Sequence, residues 1–348
     1  MAYMHNLIFK LRMILFGRIK MRWGGLSDED RILVTGGAGF IGSHLTDALM
    51  NSGLNVRVID NLSGGSIDNI KRWINNSSFE FLRGDMLRRE DLYRAVKGCN
   101  VIFHLAANPE VKIGASNPNV HFEQNVLATY NLLESMRLYG RPELLVFTSS
   151  STVYGDAAEI PTPEDYAPLK PISIYGASKL ASEAIICSYA YNYGFKAVIC
   201  RLANIIGPRS RHGVIYDFIE KLRRNPRELE ILGDGRQRKS YLYIDDLISA
   251  FSMLIEKCED KVEFFNIGSE DWIEVWRIAE IVVEEMGLTN VSFHFTGGVD
   301  GGRGWKGDVK YMRLSIERLK SLGWRPKLNS EEAVRRTAKE IIKETCKD

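Results

Sequence analysis

Tyr175 and Lys179 stand four residues apart in Tyr175-Gly176-Ala177-Ser178-Lys179, opening a stretch with helical spacing from about Tyr175 to Tyr193. Residues four apart share a helix face, so both heads can enter one site. A phenol ordinarily titrates near ~10, and a neighbouring ammonium favours the phenolate and lowers that value. A phenolate poised nearer neutrality can take a proton from a substrate hydroxyl as hydride leaves the same carbon. Upstream, the apolar run Leu144-Leu145-Val146-Phe147 opens into Thr148-Ser149-Ser150-Ser151-Thr152-Val153-Tyr154-Gly155. At the carboxyl end of a buried parallel strand, a serine such as Ser150 can hydrogen-bond the reacting oxygen and share its proton. Taken singly, these residues also suit an ordinary surface helix and a serine-rich turn.

The elements that would position them are legible around them. Arg31-Ile32-Leu33-Val34 precedes Thr35-Gly36-Gly37-Ala38-Gly39-Phe40-Ile41-Gly42-Ser43-His44, and Leu45 to Met50 follows with apolar periodicity. That is strand, glycine turn and helix. Gly36 and Gly37 permit the tight turn, Gly39 lets backbone approach a phosphate, and Gly42 lets helix pack on strand. Free N–H groups at the helix start, with the positive dipole end, form an anion site. A second strand, Asn55-Val56-Arg57-Val58-Ile59, ends at Asp60, where an acid that binds a dinucleotide ribose belongs. Strands Phe79 to Leu82, Val101 to Leu105, Leu144 to Phe147 and Ala197 to Cys200 then alternate with helices near Arg89 to Val96, Glu123 to Leu138 and Tyr175 to Tyr193. Short apolar runs between amphipathic helices require a parallel sheet covered on both faces, so the expected fold class is α/β, doubly wound (Rossmann). From about Asn204 the loops lengthen and carry arginine and glycine. Short strands (Leu229 to Leu232, Phe264 to Ile267, Val291 to Phe295) and helices near Trp276 to Met286 and Ser330 to Lys343 suggest a smaller mixed α/β lobe for an anionic substrate. The expected division is a dinucleotide-binding domain over residues 29–203 and a substrate lobe over 204–348, with a segment of about 239–268 returning to the first domain.

Composition excludes several classes. The 348 residues are 45% hydrophobic and 26% charged with a net charge of +2, which gives no reason to invoke nucleic acid. Five widely spaced cysteines form no CxxC, and the six histidines show no metal-ligand spacing, so a cytoplasmic protein with no metal is expected. Lys10, Arg12, Arg18, Lys20 and Arg22 precede any acid, the first being Asp28. The apolar runs among them fall far short of the roughly 20 residues of a membrane span. Residues 1–28 are expected to be a basic leader without structure of its own, or to begin upstream of a true start at Met21, and no membrane partner is expected.

Together these motifs resemble the extended short-chain dehydrogenase/reductase family, in its nucleotide-sugar epimerase branch, over roughly Arg31 to Glu344. The resemblance rests on Thr35 to Gly42, Asp60-Asn61, Gly84-Asp85, His104-Leu105-Ala106-Ala107, Asn125, Ser149 to Gly155, Tyr175 to Lys179, Arg201 to Pro208 and Tyr241 to Asp246. It implies NAD as cofactor, with Gly36, Gly39, Phe40, Ile41 and Gly42 at its pyrophosphate, Asp60 and Asn61 at the adenosine ribose, and Asp85 and Met86 at adenine. Leu105, Ala106, Ala107 and Asn125 would line its remaining length. Tyr175 would be the base, Lys179 would bind the nicotinamide ribose and depress the tyrosine, and Ser150 would assist at the sugar oxygen. Asn204, Lys239 and Arg303 would face a nucleotide-sugar substrate, a UDP-hexose by preference. The implied reaction is 4-epimerisation of UDP-glucose and UDP-galactose, the alternatives being net NAD-dependent oxidation of a related substrate, or a related epimerase or dehydratase. An acid at position 60 repels a 2′-phosphate, which favours NAD over NADP. Ser151 and Thr152 stand where the family's dehydratases carry acids, and neither is a general acid near neutrality. Two departures concern the substrate phosphates: Lys239-Ser240 replaces the family's Arg-Asp, and Trp305-Lys306-Gly307-Asp308 replaces Arg-x-Gly-Asp. Lysine neutralises a phosphate without arginine's flat bidentate fork. Met312 is larger than residues that admit N-acetyl sugars. A homodimer through Asn125 to Leu138 and Tyr175 to Tyr193 is also implied.

Overall fold

A computed structural model describes residues 23–345. Its centre is a seven-stranded sheet in which every neighbouring pair is parallel. The strands are β1 (Arg31–Thr35), β2 (Asn55–Asp60), β3 (Phe79–Arg83), β4 (Val101–His104), β5 (Leu144–Ser150), β6 (Lys196–Leu202) and β7 (Val262–Ile267). Their spatial order is β7-β6-β5-β4-β1-β2-β3. The chain therefore reverses direction across the sheet between β1 and β4, and the carboxyl ends there open a crevice for a ligand. β4 is buried along its whole length, and β5 nearly so, which is why both read as continuous apolar runs.

Helices cover both faces. They include α1 (Phe40–Asn51), α2 (Arg89–Val96), α3 (Ala128–Tyr139), α4 (Ile174–Tyr193), α5 (Val214–Arg224), α6 (Ile244–Lys257), α7 (Val275–Glu285) and α8 (Ser330–Thr345). Ser173 caps α4, its hydroxyl accepting from the Gly176 N–H at 3.0 Å, and Gly194 ends it with φ of +88°. This fixes the register that puts Tyr175 and Lys179 one turn apart at the sheet's carboxyl edge. Immediately before α3, Phe122–Leu127 winds as a π-helix, where one continuous α-helix was expected. The wider turn places Asn125 in the interior.

The C-terminal part carries three short sheets. Asn204–Ile206 pairs with Tyr241–Tyr243, Glu228–Ile231 pairs with Ser292–Phe295, and Arg238–Lys239 lies between Ile273–Glu274 and Tyr311–Met312. Helices α5 and α6 occupy stretches where no helix was expected. In α5 the buried residues Ile215, Phe218, Ile219 and Leu222 follow helical spacing, so the signal was present.

Residues 1–22 of the expected leader lie outside the described residues. From residue 23 the expectation fails: Trp23 is only 6% exposed and meets the Phe103 ring edge-on at 6.1 Å, with Leu26 packed on the same core. A tryptophan that buries its ring against the central sheet belongs to the fold. Among the described residues, no helix is long and apolar enough to cross a membrane, and no cluster of side chains could hold a metal ion.

Candidate active site

A cleft of about 1510 Å³ runs over the carboxyl ends of the strands and under the C-terminal part. Gly36, Gly39, Phe40, Ile41, Gly42, Asp60, Asn61, Asp85, Met86, Leu105, Ala106, Ala107, Ser150, Tyr175, Lys179, Asn204 and Lys239 all line it. Its volume exceeds the several hundred Å³ typical of a site for one small molecule. Two expected site residues, Asn125 and Arg303, do not line it.

At one end the glycine turn leaves backbone exposed for an anion. Gly39 precedes α1 as its N-cap with no side-chain cap and no acid in the first turn, so among the described residues no protein anion is seated on its leading N–H groups. A Cβ added at Gly42 would lie 2.2 Å from the Gly36 carbonyl oxygen, and Gly36 itself has φ of +69°. Only glycine closes this turn so tightly. Asp60 accepts from the Ala38 N–H at 3.0 Å and the Leu62 N–H at 2.8 Å, tying the turn to the end of β2. Burial pushes its carboxyl upward against the pull of those two donors. A carboxylate has about four acceptor positions, so capacity remains for ribose hydroxyls. Asn61 donates to Asp85 at 3.0 Å, and the two frame the next stretch of wall.

The floor between β1 and β4 is braced from beneath. The Thr35 hydroxyl accepts from the Leu105 and Ala106 N–H groups, both at 3.1 Å, and lies 2.8 Å from His104 Nδ1. His104 Nε2 meets the Thr129 hydroxyl at 2.9 Å, and burial holds this imidazole neutral, down to about 3. Asn125 belongs to the brace. Its Oδ1 accepts from the Asn108 N–H at 2.8 Å and its Nδ2 donates to the Ser178 hydroxyl at 2.9 Å. Turned inward by the π-helix and 2% exposed, it links the β4 loop to α4 where a cofactor contact was expected.

At the other end stand Ser150, Tyr175 and Lys179. Ser150 lies close enough to Tyr175 to favour its phenolate, and Ser150 Oγ accepts from the Thr152 hydroxyl at 2.9 Å. Lys179 donates from Nζ to the Thr148 carbonyl at 2.9 Å, over the Phe147 ring and 5.9 Å from the Tyr175 ring centroid. Burial is the largest influence on both groups. It pushes the Tyr175 phenol up to about 12, opposed by the Ser150 hydroxyl, and brings Lys179 down to about 8, opposed by Glu183. The expectation that Lys179 depresses the tyrosine is thus corrected. At this separation the ammonium does not outweigh desolvation of the phenolate.

Behind them lies a buried ion pair. Arg201 grips Glu183 through Nη2 at 2.9 Å and Nε at 3.1 Å, with side chains 5% and 2% exposed. Glu183 also accepts from the Ser149 hydroxyl, and Arg201 donates to the Tyr154 hydroxyl at 3.0 Å and the Glu164 carbonyl at 2.9 Å. One network therefore fixes the end of β5, the turn after it and the face of α4 that carries Lys179.

On the substrate side, Asn204 donates to the Ser240 carbonyl at 3.1 Å, and Lys239 pairs with buried Asp308. Arg303 is turned away. Its Nη1 and Nη2 reach Asp156 at 3.0 and 2.9 Å, which pins the late glycine loop to the turn after β5. Among the lining residues that the reading of the sequence did not name as binding residues are Lys112, Gln237 and Trp305. Trp305 was visible only as a departure from a motif, and Lys112 and Gln237 carry no local signal.

The family model for NAD dependent epimerases and dehydratases matches residues 32–268. This chain belongs to that family. The UDP-glucose 4-epimerase of Mycolicibacterium smegmatis is 32% identical over 315 residues, covering 88% of this chain and 97% of that protein. A crystal structure of a UDP-galactose 4-epimerase superimposes with a TM-score of 0.80 at 46% identity, covering 90% of this chain and 99% of the other. The UDP-glucuronic acid 4-epimerase of Bacillus cereus, solved with UDP-glucuronic acid and NAD, superimposes with a TM-score of 0.81 at 29% identity, covering 90% and 99%. The cofactor is NAD, and the unpartnered amides of α1 and the acid at position 60 fit it.

Proposed function

We propose that this chain is a UDP-hexose 4-epimerase that interconverts UDP-glucose and UDP-galactose. The observation that carries the reading is that Ser150, Tyr175 and Lys179 meet at one wall of the cleft, with Ser151 and Thr152 as the residues after Ser150. A pair able to move one proton at a hydroxyl carbon, with hydroxyls rather than carboxyls on the two residues after Ser150, suits reversible oxidation rather than dehydration. The 46% identity and near-complete overlap with a UDP-galactose 4-epimerase support the same substrate pair.

Ser150 holds the sugar 4-oxygen, and Tyr175 Oη takes its proton when in the phenolate form, which burial makes the minor form at neutral pH. NAD, which Gly36 to Gly42 and Asp60 would hold, would supply a reversible hydride acceptor for C4, so no net redox would occur. Lys179, mostly protonated at neutral pH, favours the phenolate as charge develops. The resulting 4-keto sugar turns in the cleft, and Tyr175 gives the proton back once the opposite face has been presented. Residues of the C-terminal part, Asn204 and Lys239 among them, grip the nucleotide meanwhile, so remote binding energy keeps the reacting carbon in place.

The reading includes cytoplasmic location and a homodimer paired through α3 and α4. These helices expose Leu138, Tyr139, Tyr191 and Tyr193, the last three at 51%, 70% and 52%. Light scattering on the purified chain tests the dimer, and a monomer mass at micromolar concentration would remove it. The reaction is tested by adding protein to UDP-galactose without added NAD and following anomeric protons by NMR. UDP-glucose should appear to a stable ratio without lasting NADH absorbance. Stoichiometric NADH formation would replace the epimerase reading with a net dehydrogenase.

A further inference from the structure

We propose that His121 is a positioning residue for the reaction: it holds Tyr175 in the one rotamer from which the phenol oxygen reaches the reacting hydroxyl. His121 does not line the cleft, so it meets neither substrate nor cofactor and acts through the tyrosine alone. The proposal deepens the epimerase reading and rests on it.

Tyr175 needs such a support. It stands in the first turn of α4, half-buried, with the cleft on one side. An aromatic side chain in a helix has two populated χ1 wells, at about 180° and about −60°. They carry the phenol oxygen to different places, so packing has to choose between them. Among the described residues, the aromatic ring packed on Tyr175 is that of His121, edge-on with centroids 5.5 Å apart and planes at 68°. A pair in this arrangement biases an equilibrium by about two- to tenfold beyond the area it buries. Misplacing a reacting group by about 1 Å costs about 100-fold in rate. The contact is thus strong enough to select a rotamer, and the reaction is sensitive enough to register the choice.

The imidazole is itself locked. It is fully buried, and its Nδ1 accepts from Asn125 Nδ2 at 3.3 Å. The Asn108 N–H occupies Asn125 Oδ1 at 2.8 Å, which settles the orientation of the amide and leaves its NH2 for the ring. Asn125 Nδ2 also donates to the Ser178 hydroxyl at 2.9 Å, so the imidazole is tied to α4, the helix that carries Tyr175. A Cβ at Gly114 would lie 2.9 Å from His121 Cδ2 and 3.1 Å from Ile174 Cβ, so that segment packs His121 against the residue before Tyr175. Burial, the largest influence, and the Lys179 ammonium lower the His121 pKa against the pull of Glu110. The imidazole is therefore neutral at pH 7 and works by contact rather than by carrying a proton.

The test compares His121→Ala, His121→Leu and His121→Phe with the wild type, each NAD-loaded, by kcat and KM for epimerisation of UDP-galactose. NAD released on denaturation normalises each rate to loaded enzyme. Alanine and leucine both remove the ring, and leucine fills the space it leaves, so leucine carries the comparison where alanine fails to fold. Each should lower kcat at least about tenfold with KM within about twofold. Phenylalanine keeps a ring edge for Tyr175 and should recover most of kcat, although it forfeits the bond from Asn125. A residue that only stabilises the fold would change unfolding or NAD content and leave kcat per loaded enzyme as it was. That result in the leucine variant overturns the proposal, and so does a phenylalanine variant no faster than leucine. A wild type that leaves UDP-galactose unepimerised but reduces its NAD refutes the epimerase reading alone, and the same comparison is then read from the initial rate of NADH absorbance. A wild type that does neither overturns both.

Discussion

Replacing Lys179 with methionine should destroy turnover and make the protein more stable at pH 7. The ammonium is fully enclosed, and burial brings its pKa from 10.5 to about 8. At about 1.4 kcal/mol per unit, holding the charge in the folded state costs about 3 kcal/mol. Methionine has similar length and no charge, so that cost disappears. It also forfeits the bond to the Thr148 carbonyl, worth about 1 kcal/mol, which leaves a net gain of about 2 kcal/mol at pH 7. The pH dependence gives a sharper check. Below pH 8 both folded and unfolded wild type hold the proton, and the penalty is fully present. Between pH 8 and 10.5 only the unfolded chain holds it, so wild-type stability rises with pH relative to the variant. Above 10.5 the difference reverts to the lost hydrogen bond. Urea unfolding of both proteins, stripped of nucleotide, at pH 7, 8, 9 and 10 measures the gap. His104 and His121 also feel the Lys179 charge, but both are held below the usual imidazole range, so between pH 7 and 10 the change in the gap reports Lys179. A variant less stable than wild type at pH 7, or a gap that stays constant across the range, would refute the claim that burial dominates this lysine.

The sheet and the cofactor half of the cleft were legible for one physical reason. A strand buried on both faces leaves no polar alternation, and a turn that admits no Cβ leaves glycines at fixed offsets, so β1, β4, β5 and Gly36 to Gly42 print directly into local sequence. Tyr175 and Lys179 were legible because helical geometry converts a spacing of four into a shared face. What escaped depends on contacts far apart in the chain. Arg303 reads as a substrate ligand until Asp156, 147 residues away, claims both its terminal nitrogens. Asn125 reads as a cofactor contact until a π-helix turns it inward toward Ser178. The shift of Tyr175 was misjudged because spacing reports a neighbouring charge, whereas the surrounding desolvation is a property of the packed whole.

The remaining predictions concern the scaffold around the three active groups. Tyr175→Phe should abolish turnover while NAD remains bound, read by activity and by nucleotide released on denaturation; substantial residual activity would remove Tyr175 as the base. Gly42→Ala sets a Cβ against the Gly36 carbonyl, so the purified variant should carry little NAD, and normal NAD content would show that the turn can widen. Asp60→Asn keeps shape but offers one acceptor oxygen where two N–H groups now bind, which should cost about 1–3 kcal/mol and weaken NAD retention. Glu183→Gln leaves Arg201 buried without its counter-ion, and breaking such a pair costs about 3–5 kcal/mol. The double variant Glu183→Gln with Arg201→Met, in which no charge is stranded, should recover much of that loss, because stranded charge rather than lost attraction is the larger part of the penalty. If the double variant is no more stable than the single one, the pair is held for the hydrogen bonds to Ser149, Tyr154 and the Glu164 carbonyl, and the network at the end of β5 acts through shape rather than charge.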